Sequence, residues 1–274
     1  MTSSGPDRGP VDHLEEGFAW REAGDGPTAL FLHGLGLTRT GWEPQLAGLS
    51  DSRRCVAWDM PGYGNSVPLE HLTFESVAGS VARFLDVIEV DGADLVGLSF
   101  GGMHALHTAL HHPDRVRRVV VASTSPAFGL DGTDADQWRR ARLARLDAGE
   151  TTADIAADVL ASVAGDGIHP ATLHQLAESF ARIPDPGLRA ACELLPTHDL
   201  RDHLGDIAAP TLVVVGEHDA ETPVAYAQAL ASGLPDCELT VMDGIGHLVA
   251  AEAPARFNDL VRRFLDDDRS SGNV

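Results

Sequence analysis

Ser99 lies in Gly97-Leu98-Ser99-Phe100-Gly101-Gly102, where an apolar run ends and a helix-period stretch begins. A G-x-S-x-G sequence at a strand-to-helix turn holds its serine in a strained conformation as an exposed nucleophile. Strand and helix must approach closely there, and Gly97, Gly101 and Gly102 supply the room. A serine hydroxyl attacks a carbonyl poorly until a base takes its proton, and the base needs an acid to orient it. Asp219, in Gly216-Glu217-His218-Asp219, and His247, in Asp243-Gly244-Ile245-Gly246-His247, each follow an apolar, β-branched run. The expected constellation is Ser99 as nucleophile, His247 as general base and Asp219 as acid, with Glu217 and Glu221 as alternative carboxylates on the same loop. Charge developing on the attacked oxygen needs preorganised N–H donors. The expected donors are the backbone N–H groups of Phe100, next after the nucleophile, and of Leu35 in His33-Gly34-Leu35-Gly36.

These residues can converge only if strands and helices alternate. Short apolar runs at Thr28–His33, Cys55–Asp59, Ala93–Leu98, Val119–Ser123, Thr211–Gly216 and Glu238–Met242 have the composition of buried strands. Helix-period stretches at Phe74–Ile88, Gly102–His111, Pro223–Ser232 and Pro254–Leu265 separate or follow them. The pattern predicts an α/β fold with a mostly parallel, doubly wound sheet. Between about Pro126 and Pro210 the strand signal stops, and helical stretches occupy Ala135–Asp147, Thr152–Val163, Pro170–Arg182 and Pro186–Leu195. Residues 126–210 are therefore expected as a helical cap inserted in a core formed by 13–125 and 211–266, above the strand ends where such sheets bind ligands. Residues 1–12 and 267–274 are rich in Gly, Pro, Ser or Asp and are expected as flexible tails.

Selectivity is expected from the cap. Trp138, Arg139, Arg140 and Arg142 open its first helix, and an Arg facing the pocket would hold a substrate carboxylate. Phe100, Met103, Phe128 and Leu248 neighbour a triad strand end or the start of the cap and are candidate apolar walls. His104, His107 and His111 share a helical stripe, but their helix should be packed inside the core, so no metal is expected. His218, adjacent to Asp219, should point away from it.

The composition narrows the chemistry further. The 274 residues carry 20 basic against 41 acidic side chains, a formal charge of −21, and every basic one is Arg. Without Lys there is no Schiff base, pyridoxal anchor or P-loop lysine. So much negative charge repels nucleic acid and anionic lipid. Cys55, Cys192 and Cys237 are odd in number and contain no CxxC pair, and MTSSGPDRGPVDHLEEG has no apolar core for a signal peptide. A cytoplasmic protein is expected.

The motifs together resemble the α/β-hydrolase superfamily from about Phe18 to Leu265. They are Phe31-Leu32-His33-Gly34, Asp59-Met60-Pro61-Gly62-Tyr63-Gly64-Asn65-Ser66, the turn at Ser99, Pro113-Asp114-Arg115-Val116, Asp219 to Pro223, and Gly246-His247 through Glu252-Ala253-Pro254 to Phe264-Leu265. Ile183-Pro184-Asp185-Pro186-Gly187 through Cys192, and Asp199-Leu200-Arg201-Asp202 leading into Ala209-Pro210-Thr211, are similar to 3-oxoadipate enol-lactone hydrolases. Met60-Pro61-Gly62-Tyr63 replaces the arginine and glycine usual in that turn. The resemblance implies a small-molecule ester or lactone substrate, cleaved through an acyl-enzyme without metal or organic cofactor. Carbon–carbon bond hydrolysis, perhydrolysis, or ligand binding without turnover are alternatives on the same fold. The sequence admits a homo-oligomer.

Overall fold

The computed structural model describes residues 9–267. One sheet contains β1 (Val11–Glu15), β2 (Phe18–Ala23), β3 (Thr28–Leu32), β4 (Arg54–Trp58), β5 (Ala93–Leu98), β6 (Val116–Ala122), β7 (Thr211–Gly216) and β8 (Cys237–Met242). Their order is β1-β2-β4-β3-β5-β6-β7-β8. β1 and β2, and β2 and β4, pair antiparallel, and all other neighbours are parallel. Every residue of β3, β5 and β7 is buried, as strands covered on both faces require.

The topology fixes where the helices lie. From β3 the chain passes through α1 (Glu43–Leu49) to β4 on one side, then through α2 (Phe74–Val87) to β5 on the other. Right-handed crossovers in opposite directions place α1 and α2 on opposite faces. α3 (Phe100–His111), between β5 and β6, continues in the direction of α2 and packs against it. The sheet is thus doubly wound, and the reversal lies between β3 and β5, where ligands bind in such sheets.

The six apolar runs are all strands, but β1 and β2 escape the sequence pattern. β1 is mostly exposed, and its turn is Glu16-Gly17, with φ of 47° and 84° at the two central residues. That is the positive-φ pair of a type I′ hairpin without the usual Asn-Gly or Asp-Gly signal. The expectation of a tail through residue 12 is corrected accordingly: Val11 and Asp12 pair with Glu22 and Arg21 in the sheet. Hydrogen bonds from Arg21 and Arg39 hold the Asp12 carboxyl down at about 2, against partial burial. The remaining tail residues, 1–8 and 268–274, lie outside the described residues.

Between β6 and β7 the chain forms α4 (Ala135–Asp147), α5 (Thr152–Val163), α6 (Pro170–Phe180) and α7 (Asp185–Leu194). The two ends of this insertion are joined at its base, where Phe128 N donates to the His198 carbonyl and Leu200 N to that of Pro126. α8 (Val224–Gly233) links β7 to β8, and α9 (Val249–Glu252) and α10 (Pro254–Asp266) end the fold, with α10 packed on α1.

Candidate active site

Ser99, Asp219 and His247 leave the carboxyl ends of β5, β7 and β8. At the end of β5 the backbone of Ser99 takes φ 53°, ψ −116°, a conformation costing about 1–3 kcal/mol that persists only where its surroundings enforce it. Two glycines do so. A Cβ on Gly97 would collide with the Gly101 carbonyl, and one on Gly101 with the carbonyl of Leu32 on β3. Ser99 N donates to Ala122 O at 2.7 Å, and its own carbonyl accepts from Gly102 N at 2.9 Å to start α3.

His247 is buried and its Nδ1 lies 2.9 and 3.0 Å from the two carboxylate oxygens of Asp219. A carboxylate only accepts, so Nδ1 carries a proton and, in the neutral ring, Nε2 keeps the lone pair. Asp219 also accepts from Glu221 N at 3.0 Å, Thr222 N at 2.8 Å and Thr222 Oγ1 at 2.9 Å. Burial works to raise its pKa, but the His247 and Thr222 hydrogen bonds outweigh that and hold the carboxyl below its ordinary value. The alternative carboxylates are engaged elsewhere. Glu217 accepts from Gly244 N at 2.8 Å, and Glu221 pairs with Arg142. His218 is exposed beside Glu217.

Ser99 and His247 line one cavity of about 340 Å³, within the range of small-ligand sites. Among the described residues Ser99 Oγ has no hydrogen-bond partner; such contacts often tighten only when substrate arrives. Phe100 is the first residue of α3, so its N–H has no intrahelical acceptor, while its ring is buried against Phe74 and His104 away from the cavity. Leu35 lines the cavity, with its carbonyl held by Tyr63 Oη at 3.0 Å. His33 braces that loop: Nε2 accepts from Met60 N at 3.0 Å, so Nδ1 is protonated and donates to Gly34 O at 3.0 Å. Burial lowers the His33 pKa, keeping the ring neutral.

Sequence reasoning quoted Glu252 in a motif without seeing its work. Its carboxylate accepts from Gly246 N at 2.7 Å and Leu248 N at 2.9 Å, the residues on either side of His247. It also accepts from Gly165 N, 3.1 Å away in the inserted segment. Glu252 thereby fixes the loop that carries His247. Glu252→Ala should lower kcat about 10- to 100-fold with little change in KM, as three N–H groups lose their acceptor. Glu252→Gln, which keeps one acceptor oxygen, should recover part of the loss in the same steady-state assay.

Of the candidate substrate residues, Met103, Phe128, Trp138, Arg142 and Leu248 line the cavity. Arg139 does not: one helical step from Trp138, it turns to Asp136 at 2.6 Å and Glu193 at 3.2 Å. Arg142 faces the cavity but is paired with Glu221 at 2.5 Å and stacked over Trp138.

Two of the three stripe histidines, His104 and His107, are part of the core. His104 is fully buried between Phe74 and Phe100, with neither ring nitrogen bonded among the described residues. His107 stacks on Phe74 and its Nε2 lies 3.2 Å from Nδ1 of His198. His198 Nε2 faces the Ser125 carbonyl at 2.9 Å, so it holds the proton there and accepts from His107 at Nδ1. His111 is exposed. Among the described residues no group of three or more His, Cys, Asp or Glu is placed to hold a metal ion, and no helix is long and apolar enough to cross a membrane.

A sequence profile described as alpha/beta hydrolase fold matches residues 27–254. The chain is 29% identical over 239 residues to 3-oxoadipate enol-lactonase 2 of Acinetobacter baylyi, covering 86% of this chain and 88% of that protein. It is also 29% identical to a pimeloyl-[acyl-carrier protein] methyl ester esterase of Vibrio vulnificus, covering 87% and 94%. Among solved structures, the enol-lactonase of Burkholderia xenovorans superposes with a TM-score of 0.83 at 26% identity, covering 94% of this chain and 100% of that one. The doubly wound sheet, the strained serine turn and the profile spanning most of the chain agree: this protein belongs to the alpha/beta hydrolase fold family.

Proposed function

We propose that the chain is a serine hydrolase that cleaves a small carboxylic ester or lactone through an acyl-enzyme. The observation that carries the reading is one cavity shared by Ser99, in its strained turn, and His247, whose Nδ1 is held by Asp219. Ser99 Oγ attacks the carbonyl carbon while His247 Nε2 takes its proton, and the Leu35 and Phe100 N–H groups receive the oxyanion. Collapse of the tetrahedral intermediate breaks the bond to the leaving oxygen, which His247 protonates. Water, deprotonated by His247, then attacks the acyl carbonyl and releases the acid, returning the proton to Ser99. Asp219 stays ionised throughout and stabilises the imidazolium. No step calls for a metal or an organic cofactor.

Segment 126–210 acts in this reading as a cap, contributing Trp138, Ile155, Phe180 and Leu188 to the cavity wall. The relatives named as an enol-lactonase and a methyl ester esterase support both substrate types. The unpaired Cys55, Cys192 and Cys237 fit a reducing cytoplasm. The test is hydrolysis of one short aryl ester and one enol-lactone by wild type and Ser99→Ala, with products identified by mass. Turnover by wild type alone is expected, and equal release of acid by both proteins would remove the serine mechanism.

A further inference from the structure

Arg142 crosses from α4 to the acid loop. Its Nη2 lies 2.5 Å from Glu221 Oε2, and its guanidinium carbon sits 5.4 Å from the centre of the Trp138 ring. Glu221 is two residues beyond Asp219 and donates its backbone N–H to that carboxylate at 3.0 Å. Among the described residues lining the cavity, Arg142 is the one permanent cation, against the carboxylates Asp131 and Glu221. Asp131 accepts from the N–H and hydroxyl of Thr133, at 3.0 and 2.6 Å. The wall otherwise offers mainly apolar side chains such as Leu98, Phe128, Ile155, Phe180 and Leu188.

We propose that the site selects uncharged esters or lactones and rejects substrates bearing a free carboxylate, with Glu221 as the residue that sets this preference. The inference rests on the hydrolase reading and names its substrate class. Glu221 already neutralises, through Nη2, the guanidinium that a substrate carboxylate would need. An anionic substrate must compete with the exposed Glu221 carboxylate for that guanidinium, or remain unpaired against an apolar wall. An uncharged chain fills the same space without either cost. The −21 net charge adds repulsion before the anion reaches the cavity. Lactones that carry a free carboxylate and half-esters of dicarboxylic acids fall in the rejected class.

The test compares kcat/KM for a matched pair: the phenyl ester of a straight-chain monocarboxylic acid, and the ester of the same length with a terminal carboxylate. Wild type should favour the uncharged member by roughly tenfold to hundredfold. Glu221→Gln keeps the backbone N–H on Asp219 but frees the guanidinium. It should narrow that ratio by roughly tenfold, mainly through KM of the charged member. Arg142→Gln, which removes the cation and leaves Glu221, should not narrow it. Calorimetric binding of the matched ketones, with CH₂ replacing the ester oxygen, reads the same preference without turnover. Absent hydrolysis with the preference intact would then count against the hydrolase reading alone. Equal or stronger binding of the charged ketone by wild type, or an unchanged ratio in Glu221→Gln, would overturn the proposal.

Discussion

His247→Ala and Ser99→Ala should each lower kcat on a preferred ester by on the order of 10⁵-fold, and the double variant should fall little further. The reason lies in how the groups act together in the proposed mechanism. Without the base, the Ser99 proton has no acceptor; without the nucleophile, His247 has only water to activate at a carbonyl positioned for attack by serine. Each single change therefore forfeits nearly the whole covalent route. In the proposed mechanism the remaining rate comes from the cavity and the Leu35 and Phe100 N–H groups, which both variants retain. Asp219→Asn belongs to the same series with a loss of about 10⁴-fold. An amide can present N–H to Nδ1, which favours the ring tautomer whose proton is on Nε2, the atom that must accept. Single-turnover rates for the four variants check this, and multiplicative losses in the double variant would contradict a concerted Ser–His unit.

The second large effect concerns stability in mild acid. Burial, then neighbouring histidines, holds His104 well below its ordinary pKa. Burial and the approach of His198, His111 and His203 lower His107 to about 3, and burial lowers His198 to about 4 against the Ser125 carbonyl and Asp199. These rings stay neutral in the folded protein but gain protons in the unfolded chain below about pH 6.5. The unfolded state then binds more protons, so stability present above that value is lost as pH falls. The slope is about 1.4 kcal/mol per pH unit for each histidine once the unfolded chain is protonated. Asp12 and Asp219, whose carboxyls are also held low, add losses in the same direction only nearer pH 4 and below. Urea denaturation between pH 8 and pH 5 should show a steep fall. His104→Leu should flatten it by about one histidine's share while preserving stability near neutrality, because neither His104 nitrogen gives up a partner. A profile unchanged by that substitution would refute the assignment.

The placement of the candidate residues could be read in the sequence because they stand at strand exits. A short apolar run followed by a glycine-containing loop marks where β5, β7 and β8 end, and Ser99, Asp219 and His247 stand just beyond them. What escaped was set by tertiary placement. Residues one apart on α4 face different ways, so Arg139 joins Glu193 while Trp138 lines the cavity. The partnership of Arg142 with Glu221 spans 79 residues and left no periodic trace. His198 likewise meets His107 across 91 residues. Glu252 was visible as a motif letter, but its three hydrogen bonds depend on how the His247 loop meets the inserted segment. β1 was missed because an exposed edge strand with acidic residues carries little apolar alternation.

The proposed acyl-enzyme requires a covalent bond from Ser99 to the acyl group, and the direct measurement is intact and peptide mass after millisecond mixing with an activated aryl ester. A transient gain equal to the acyl group, on the peptide containing Ser99, is expected in wild type and none in Ser99→Ala. Hydrolysis by wild type with no adduct at Ser99, or an adduct of equal occupancy in Ser99→Ala, would contradict it.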